Sequence, residues 1–128
     1  MQLSFLVAKA LLEGDFASYF ASLPSADVEP EPIVLREDRF ERVSRMEHEE
    51  RGTVAVSVLV VREAAVTAEA DAQACERWIR TYGWEPVAEN GSWRIAGLDT
   101  TAPAFKGTDG SGRHVWAFDV VLTAVRSI

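Results

Sequence analysis

The sequence is poor in the residues that form covalent cross-links and metal sites. Its 128 residues include one cysteine, Cys75, and two histidines, His48 and His114. A single cysteine excludes a disulfide within the chain and any metal site built from several cysteines. Packing must therefore hold the fold together. A chain of this length is expected to form one domain, residues 1–128, that buries about 68% of its unfolded surface.

Clustered positive charge and long apolar runs are also missing. Lysine and arginine total 13 against 20 aspartates and glutamates, which gives a net charge of −7. Because phosphate contacts need clustered basic residues, we expect no sequence-specific nucleic-acid partner. The apolar start, LSFLVAKALL, is too short to span a bilayer, and no basic region precedes it. We therefore expect a cytosolic protein with no signal peptide and no membrane partner.

The last part of the sequence alternates in a way that predicts one long strand. From Gly112 onward, one set of alternate residues is nearly all apolar: His114, Trp116, Phe118, Val120, Leu122 and Ala124. The other set is mixed, with Asp119 and Thr123 placed among valines. A strand that is apolar on both sides belongs in the middle of a sheet. We therefore expect helices over the first face, and partial cover or a protein partner on the second.

Helical spacing of apolar residues occurs in three places. Residues 3–11 show it first, and Gly14 suits the position after that helix. Asp15 is a suitable cap for a second short helix that repeats the spacing at Phe16, Tyr19, Phe20 and Leu23, up to Pro24. The third helix is predicted from its cap, Thr67, to about Tyr82. Its buried stripe is Ala68, Ala72, Cys75, Ile79 and Tyr82.

The remaining apolar segments predict five strands. Alternating valines mark a strong one over residues 53–62, and the final strand is the other strong one. The weaker ones are residues 33–35, an exposed strand from about Arg39 to Met46 that turns back near residues 47–49, and a short strand holding Trp93, Ile95 and Leu98. Residues 84–90 are expected to be a loop, and residues 99–112 a loop with a turn at Asp109-Gly110.

Few residues are placed for catalysis or metal binding. His48 lies in a run of glutamates, but the spacing matches no helical zinc motif, so a solvated turn is the better interpretation. His114 follows Asp109 without a nucleophile at a recognisable spacing. Cys75 lies on a buried helical stripe, which favours packing over reactivity. We therefore expect no catalytic, metal-binding or cofactor-binding residues.

Asp119 interrupts an otherwise apolar strand, which leaves two interpretations. It is either a buried acid in a pocket, with a raised pKa, or a residue that faces solvent or pairs with an arginine across a subunit contact. Because buried carboxylates are usually paired, the second interpretation is favoured.

Three segments carry a resemblance to a known group of proteins. They are VAVSVLVVRE (Val54–Glu63), TAEADAQACERWIR (Thr67–Arg80) and the closing segment Gly97–Arg126, which together with their connections span about two thirds of the chain. In this pattern the chain resembles the tail terminator and minor capsid proteins of long-tailed bacteriophages and prophages, which are also called tail-completion or head–tail joining proteins.

The resemblance implies a fold, an assembly and a location. The implied fold is α+β, with a mainly antiparallel twisted sheet of about five strands and N-terminal helices and one long helix, about residues 67–82, packed on it. Such subunits form rings, often hexameric, that cap the tail tube and meet the head connector. They have no catalytic residues and no cofactor. The implied location is the host bacterial cytoplasm during assembly and then the head–tail junction of the virion.

Two charged segments are the predicted contact surfaces of such a subunit, residues 39–51 and 99–112. The candidate interface residues are Arg39, Arg42, Arg45, His48, Arg51, Lys106, Asp109, Arg113 and Asp119. The net negative charge fits a ring through which DNA passes, because an acidic lumen repels phosphate.

A second hypothesis is a small enzyme or binding domain with a pocket, similar to the nuclear transport factor 2-like fold. The segment NGSWRI, residues 90–95, has the character of that fold. Asp119 or His114 would then lie in an apolar cone with Trp93 and Trp116 and act as a general acid or base. The long helix between Arg62 and Trp84 argues against this hypothesis, because that fold has mostly sheet there.

Overall fold

Two helices and seven strands form in the part of the chain that the structure describes. The computed structural model describes residues 4–20, 28–37, 41–45, 48–82 and 94–127. The elements are α1 (Ser4–Glu13), β1 (Tyr19–Phe20), β2 (Ile33–Glu37), β3 (Glu41–Arg45), β4 (Glu49–Arg62), α2 (Ala65–Thr81), β5 (Arg94–Thr100), β6 (Ala104–Thr108) and β7 (His114–Ser127).

All seven strands belong to one sheet, in which β4 and β7 are the long central pair. The continuous path is β1-β2-β4-β7-β5, while β3 pairs with β4 and β6 pairs with β7. Both central strands have 14 residues and run antiparallel along their whole length, from Glu49↔Ser127 to Arg62↔His114. Among the strands in the described residues, β1 alone pairs in parallel, with β2. The predicted α+β class, with a mainly antiparallel sheet of about five strands, is confirmed.

Alternation in the two central strands builds the core on one side of the sheet. The buried residues on that side include Val54, Val56, Val58 and Val60 of β4 and Phe118, Val120, Leu122 and Ala124 of β7. The predicted stripe of α2 packs onto them through Ala72, Cys75 and Ile79. The prediction that β7 lies in the middle of the sheet, with helices over its first face, is therefore confirmed.

The two helices are joined to each other above the sheet. The indole Nε1 of Trp78 on α2 donates a hydrogen bond of 2.6 Å to the carbonyl oxygen of Ala10 on α1. The Tyr82 hydroxyl donates to the Glu13 carboxylate. Helix α2 begins two residues before the predicted cap Thr67, and its N-cap residue, Ala64, makes no side-chain capping bond. No helix in the described ranges is long and apolar enough to cross a membrane.

The predicted second helix is wrong over residues 16–20. Asp15 adopts a left-handed backbone conformation, with φ of 65°, and the amide of Phe16 donates to the carbonyl of Leu11. Asp15 therefore helps to end α1 and does not start another helix. Tyr19 and Phe20 form β1 beside Val34 and Leu35 of β2. The rest of the predicted helix, residues 21–24, lies outside the described residues.

One strand was missed within the predicted loop over residues 99–112. The segment Ala104–Thr108 forms β6, antiparallel to β7, with a register shift between Phe105 and Gly107. Gly107 has φ of 111° at this irregularity, a conformation that favours glycine. In the sequence this glycine indicates a loop, whereas in the structure it forms the bulge of β6. The predicted turn at Asp109-Gly110 is confirmed by the bond from the Gly112 amide to the Asp109 carbonyl.

The weaker predicted strands are found close to their expected positions. Strand β3 lies within the predicted exposed strand, whose ends, residues 39–40 and 46, are outside the described residues. Strand β5 contains the predicted Ile95 and Leu98. Trp93 and the predicted loop over residues 84–90 also lie outside the described residues.

Candidate interaction surface

The two faces of the sheet differ in what lies over them. We call the face packed against α1 and α2 the covered face, and the opposite face the open face. In the described part of the chain, both helices contribute to the single core cluster on the covered face. From the strand pairing, the residues of the open face include Val34, Arg36, Arg51, Thr53, Ala55, Ser57, Leu59, Val61, Arg94, Gly97, Asp99, Val115, Ala117, Asp119, Val121, Thr123 and Val125.

Burial varies across the open face. Val34, Val61 and Val125 are at most 2% exposed and Ala117 is 8% exposed, so these four residues are already buried within the chain. The central residues Ala55, Leu59 and Val121 are partly exposed. The middle of the open face is therefore an apolar area that keeps some contact with solvent.

Four polar residues cross the middle of the open face, and we call them the polar row: Arg36, Ser57, Asp119 and Thr101. Arg36 pairs with Ser57, and Ser57 pairs with Asp119 in the strand register. The Ser57 hydroxyl donates a 2.8 Å hydrogen bond to Asp119 Oδ1. Thr101 Oγ1 accepts a 2.8 Å bond from the Asp119 amide, and the Thr101 amide donates to the Asp119 carbonyl. The row is thus held together across three strands and the residue that follows β5.

The position of Asp119 bears on both interpretations of this residue. It is partly exposed, and its carboxylate is bonded to Ser57, so it is not an isolated acid in the core. Trp116 and His114 lie on the covered face, the side of β7 opposite to Asp119. Asp119 and Trp116 therefore do not line one common cone. His114 and Trp116 instead lie near Phe105, with ring centroids 6.3 and 6.0 Å from the Phe105 ring.

The other predicted interface residues lie in two separate places. Arg42 and Arg45 belong to β3, while His48 and Arg51 lie at the nearby start of β4, where both are exposed. The other group, Lys106, Asp109 and Arg113, lies in and after β6. Because β3 borders β4 near its start and β6 borders β7 near its start, the two groups occupy opposite edges and opposite ends of the sheet. Arg39 lies outside the described residues.

Asp109 and Arg113 form an anchor inside the chain. Arg113 is 4% exposed, and its Nε donates a 2.7 Å bond to Asp109 Oδ2. Its Nη1 donates a 3.0 Å bond to the carbonyl of Glu29. Burial acts to raise the pKa of Asp109, but the hydrogen bonds from Arg113 and Ser111 and the charge of Arg113 outweigh it, so the pKa is lowered. The Arg113 side chain therefore ties the β6–β7 turn to residue 29 and is not displayed at the surface.

The outer strands are interrupted by register shifts. These shifts fall between Arg42 and Ser44 in β3, between Ile95 and Gly97 in β5, and between Phe105 and Gly107 in β6. A bulge bends an edge strand and breaks its row of hydrogen-bonding groups. The bulged strands β3, β5 and β6 are therefore poor templates for the addition of another strand.

Two further ion pairs and a buried thiol lie elsewhere in the described residues. Glu50, which is 3% exposed, lies 3.0 Å from Arg126, and Arg62 lies 2.7 Å from Asp71. Burial raises the pKa of the Cys75 thiol to about 12, so the thiol is protonated at neutral pH. In the described ranges, no group of three or more histidine, cysteine, aspartate or glutamate side chains is placed to hold a metal ion.

Sequence reasoning found one member of the polar row and missed the other three. Asp119 was noticeable because it interrupts a valine-rich strand, whereas Arg36, Ser57 and Thr101 are ordinary surface residue types. Ser57 could have been found in the same way as Asp119, because it interrupts the valines of β4 as Asp119 interrupts those of β7. Comparison of the chain with protein-family models and with curated proteins found no match.

Proposed function

We propose that the chain is a structural subunit of a phage or prophage virion, a tail terminator or head–tail joining protein, with no enzymatic activity. It assembles with copies of itself into a ring on the tail tube, and its other partners are the tube and head-connector proteins. Assembly takes place in the host cytoplasm, and the finished ring stays at the head–tail junction. The observation that supports this proposal best is the open face, a partly exposed apolar area with an ordered polar row.

The open face is suited to burial in an interface with other proteins. Partly exposed apolar area contributes free energy of about 25 cal/mol per Å² when a partner removes it from water. The polar row would fix the orientation of such a contact, because its charged groups favour a partner surface of opposite charge.

The placement of the two predicted contact segments also agrees with a ring. A ring requires two different surfaces on each subunit, so that one copy contacts the next in a head-to-tail manner. The β3 side and the β6 side lie at opposite edges and opposite ends of the sheet, so they are available to different neighbours.

The proposal is tested on tail tubes purified from the phage or prophage that carries the gene. The purified protein is added to the tubes, and electron microscopy records whether one tube end gains a ring. We expect Arg51→Glu to reduce the fraction of capped ends, because Arg51 is an exposed member of a predicted contact segment. Arg77→Glu, an exposed change on α2 outside both segments, is the matched control. Tubes that stay uncapped by the unmodified protein would overturn the proposal.

A further inference from the structure

The turn between β6 and β7 contains an Asp-Gly pair, Asp109-Gly110, which is a reactive sequence in any polypeptide. We propose that this pair is a latent modification site, at which Asp109 converts to isoaspartate when its bonds to Arg113 are released. In the folded chain those bonds suppress the conversion. The inference concerns the chemistry of one turn, so it goes beyond the proposed function and does not depend on it.

The conversion takes place within the backbone and uses water as its other reactant. The Gly110 amide nitrogen attacks the side-chain carbon Cγ of Asp109 and loses its proton, and the carboxyl hydroxyl leaves as water. The product is a cyclic succinimide. Water then opens the ring, either at Cγ, which restores aspartate, or at the backbone carbonyl carbon, which leaves isoaspartate. Glycine favours the attack because it has no side chain to obstruct the approach and gives the backbone freedom.

Gly110 leaves room for this reaction. It is exposed to solvent, and a Cβ built on it would meet nothing within 4 Å. The next two residues, Ser111 and Gly112, are exposed as well. The Asp109 side chain is 16% exposed, so solvent has access to the carboxyl group. Neither crowding nor deep burial therefore protects the pair.

Three hydrogen bonds to the Asp109 carboxylate supply the protection instead. Oδ1 accepts bonds of 3.0 and 2.9 Å from the amides of Ser111 and Arg113, and Oδ2 accepts a 2.7 Å bond from Arg113 Nε. These bonds set the orientation of the carboxyl group, so attack by the Gly110 nitrogen requires their loss. They also favour the ionised carboxylate, which lowers the pKa of Asp109. The ionised group reacts poorly because it has no hydroxyl to expel as water.

The rest of the fold holds Arg113 in place. Its side chain is 4% exposed, and Nη1 donates a 3.0 Å bond to the carbonyl of Glu29. In the backbone, the Asp109 amide donates to the Arg113 carbonyl, and the Gly112 amide donates to the Asp109 carbonyl. Hydrogen bonds between charged partners are the strong ones in proteins. The restraint on Asp109 therefore lasts as long as the turn stays attached to residue 29.

Conversion would leave the turn permanently altered. Isoaspartate carries the main chain through its Cβ and Cγ atoms, so the backbone gains a methylene group and the carboxylate moves onto the Cα atom. The bonds that Ser111 and Arg113 donate to Asp109 no longer fit this geometry. Release of the turn and conversion of Asp109 therefore promote each other.

The first test compares the unmodified chain in buffer with the same chain unfolded in urea. Peptide mapping after timed incubation measures isoaspartate at position 109, which is identified by its chromatographic separation and by enzymatic methylation of its α-carboxyl group. We expect conversion to be about tenfold or more slower in buffer, because loss of one charge-assisted hydrogen bond permits a change of that size. Equal rates in the two media would overturn the proposal.

The second test weakens the restraint while the chain stays folded. Arg113→Lys keeps the positive charge but loses the planar set of donors that binds Asp109 and the Glu29 carbonyl. Asn90-Gly91 is an internal reference, because it forms the same succinimide with loss of ammonia. We expect the ratio of Asp109 conversion to Asn90 deamidation to rise by about tenfold in the folded variant. An unchanged ratio would overturn the proposal.

Gly110→Ala is the chemical control. Its added methyl group obstructs the attacking nitrogen and meets no other part of the fold. The variant should convert several times more slowly than the unmodified chain when both are unfolded in urea, and equal rates there would contradict the succinimide route. Circular dichroism checks that Arg113→Lys is folded. If it is not, the comparison of buffer with urea decides the proposal.

Discussion

The two faces of the central sheet are made by the same strands and meet different surroundings. Strand β4 sends Val54, Val56, Val58 and Val60 to the covered face, where each is at most 1% exposed. The alternate residues Thr53, Ala55, Ser57 and Leu59 lie on the open face and are partly exposed. The middle of the covered face is apolar, and the helices of the same chain pack on it. The open face combines small apolar, hydroxyl and charged residues. This mixture is typical of a surface that is exposed to water in the free protein and covered when a partner binds.

The largest difference is expected between two leucines on opposite faces. Leu122 is fully buried on the covered face. Leu122→Ala should lower the free energy of unfolding by about 2–5 kcal/mol, because transfer free energy is lost and a cavity remains. Leu59→Ala should cost below about 1.5 kcal/mol, since the side chain on the open face is partly exposed. Urea unfolding of dilute protein measures both values, and equal losses would contradict the distinction between the faces.

The helix layer over the covered face should tolerate little added volume. A Cβ at Gly14 would lie 2.7 Å from the Trp78 ring, a side chain that is itself held by its bond to Ala10. Gly14→Ala should therefore reduce stability by about 1–3 kcal/mol. Gly110→Ala is the matched control, because an added Cβ there meets nothing within 4 Å. Thermal unfolding compares the two, and a neutral Gly14→Ala would show that α1 and α2 separate easily.

Loss of a hydroxyl on the open face should have a smaller effect. Ser57→Ala removes the donor to Asp119 and should cost about 1 kcal/mol, because Asp119 regains only part of that bond from water. Thr67→Ala removes a hydroxyl from the exposed first turn of α2, where the structure shows no capping bond at the helix start. That variant should lose no stability. Urea midpoints distinguish the two outcomes, and a loss at Thr67 would show that it caps α2.

The effect of removing the Asp109 carboxylate, which anchors Arg113, is expected to depend on pH. The folded pKa of Asp109 is lowered from its ordinary value of 3.8. Its stabilising contribution is therefore present above that value and is lost as the pH falls through the lowered pKa. Asp109→Asn should lower the urea midpoint at neutral pH, and the difference from the unmodified chain should shrink below the ordinary pKa. A difference that is constant with pH would contradict the role of the Asp109 charge.

Long-range pairing explains what the sequence could not predict. The strand β7 and the stripe of α2 were predicted because period and apolar residues are local signals. The strand β1 was not, since Tyr19 and Phe20 have helical spacing and become a strand only through pairing with β2. The strand β6 was hidden by Gly107, whose unusual φ is needed only in the bulge against β7.

The same limit applies to the open face. Asp119 was found because it stands out among valines in its own strand. Arg36 joins it through the register of β2, β4 and β7, and Thr101 joins it through hydrogen bonds, so no local pattern reports either residue. Arg113 was predicted at a contact surface, but its bond to the Glu29 carbonyl places it inside the fold. A charged residue in a glycine-rich turn gives no local sign of a partner 84 residues away.

The solution mass of the unmodified chain tests the central claim most directly, namely that the molecule works through contacts between copies. Light scattering after gel filtration should be recorded over a wide concentration series, at low and moderate salt. We expect the mass to rise with concentration from the 14.1 kDa of one chain to at least twice that value. Higher salt should shift the midpoint, because charged groups contribute to the contact. A mass that stays at 14.1 kDa throughout would contradict the account.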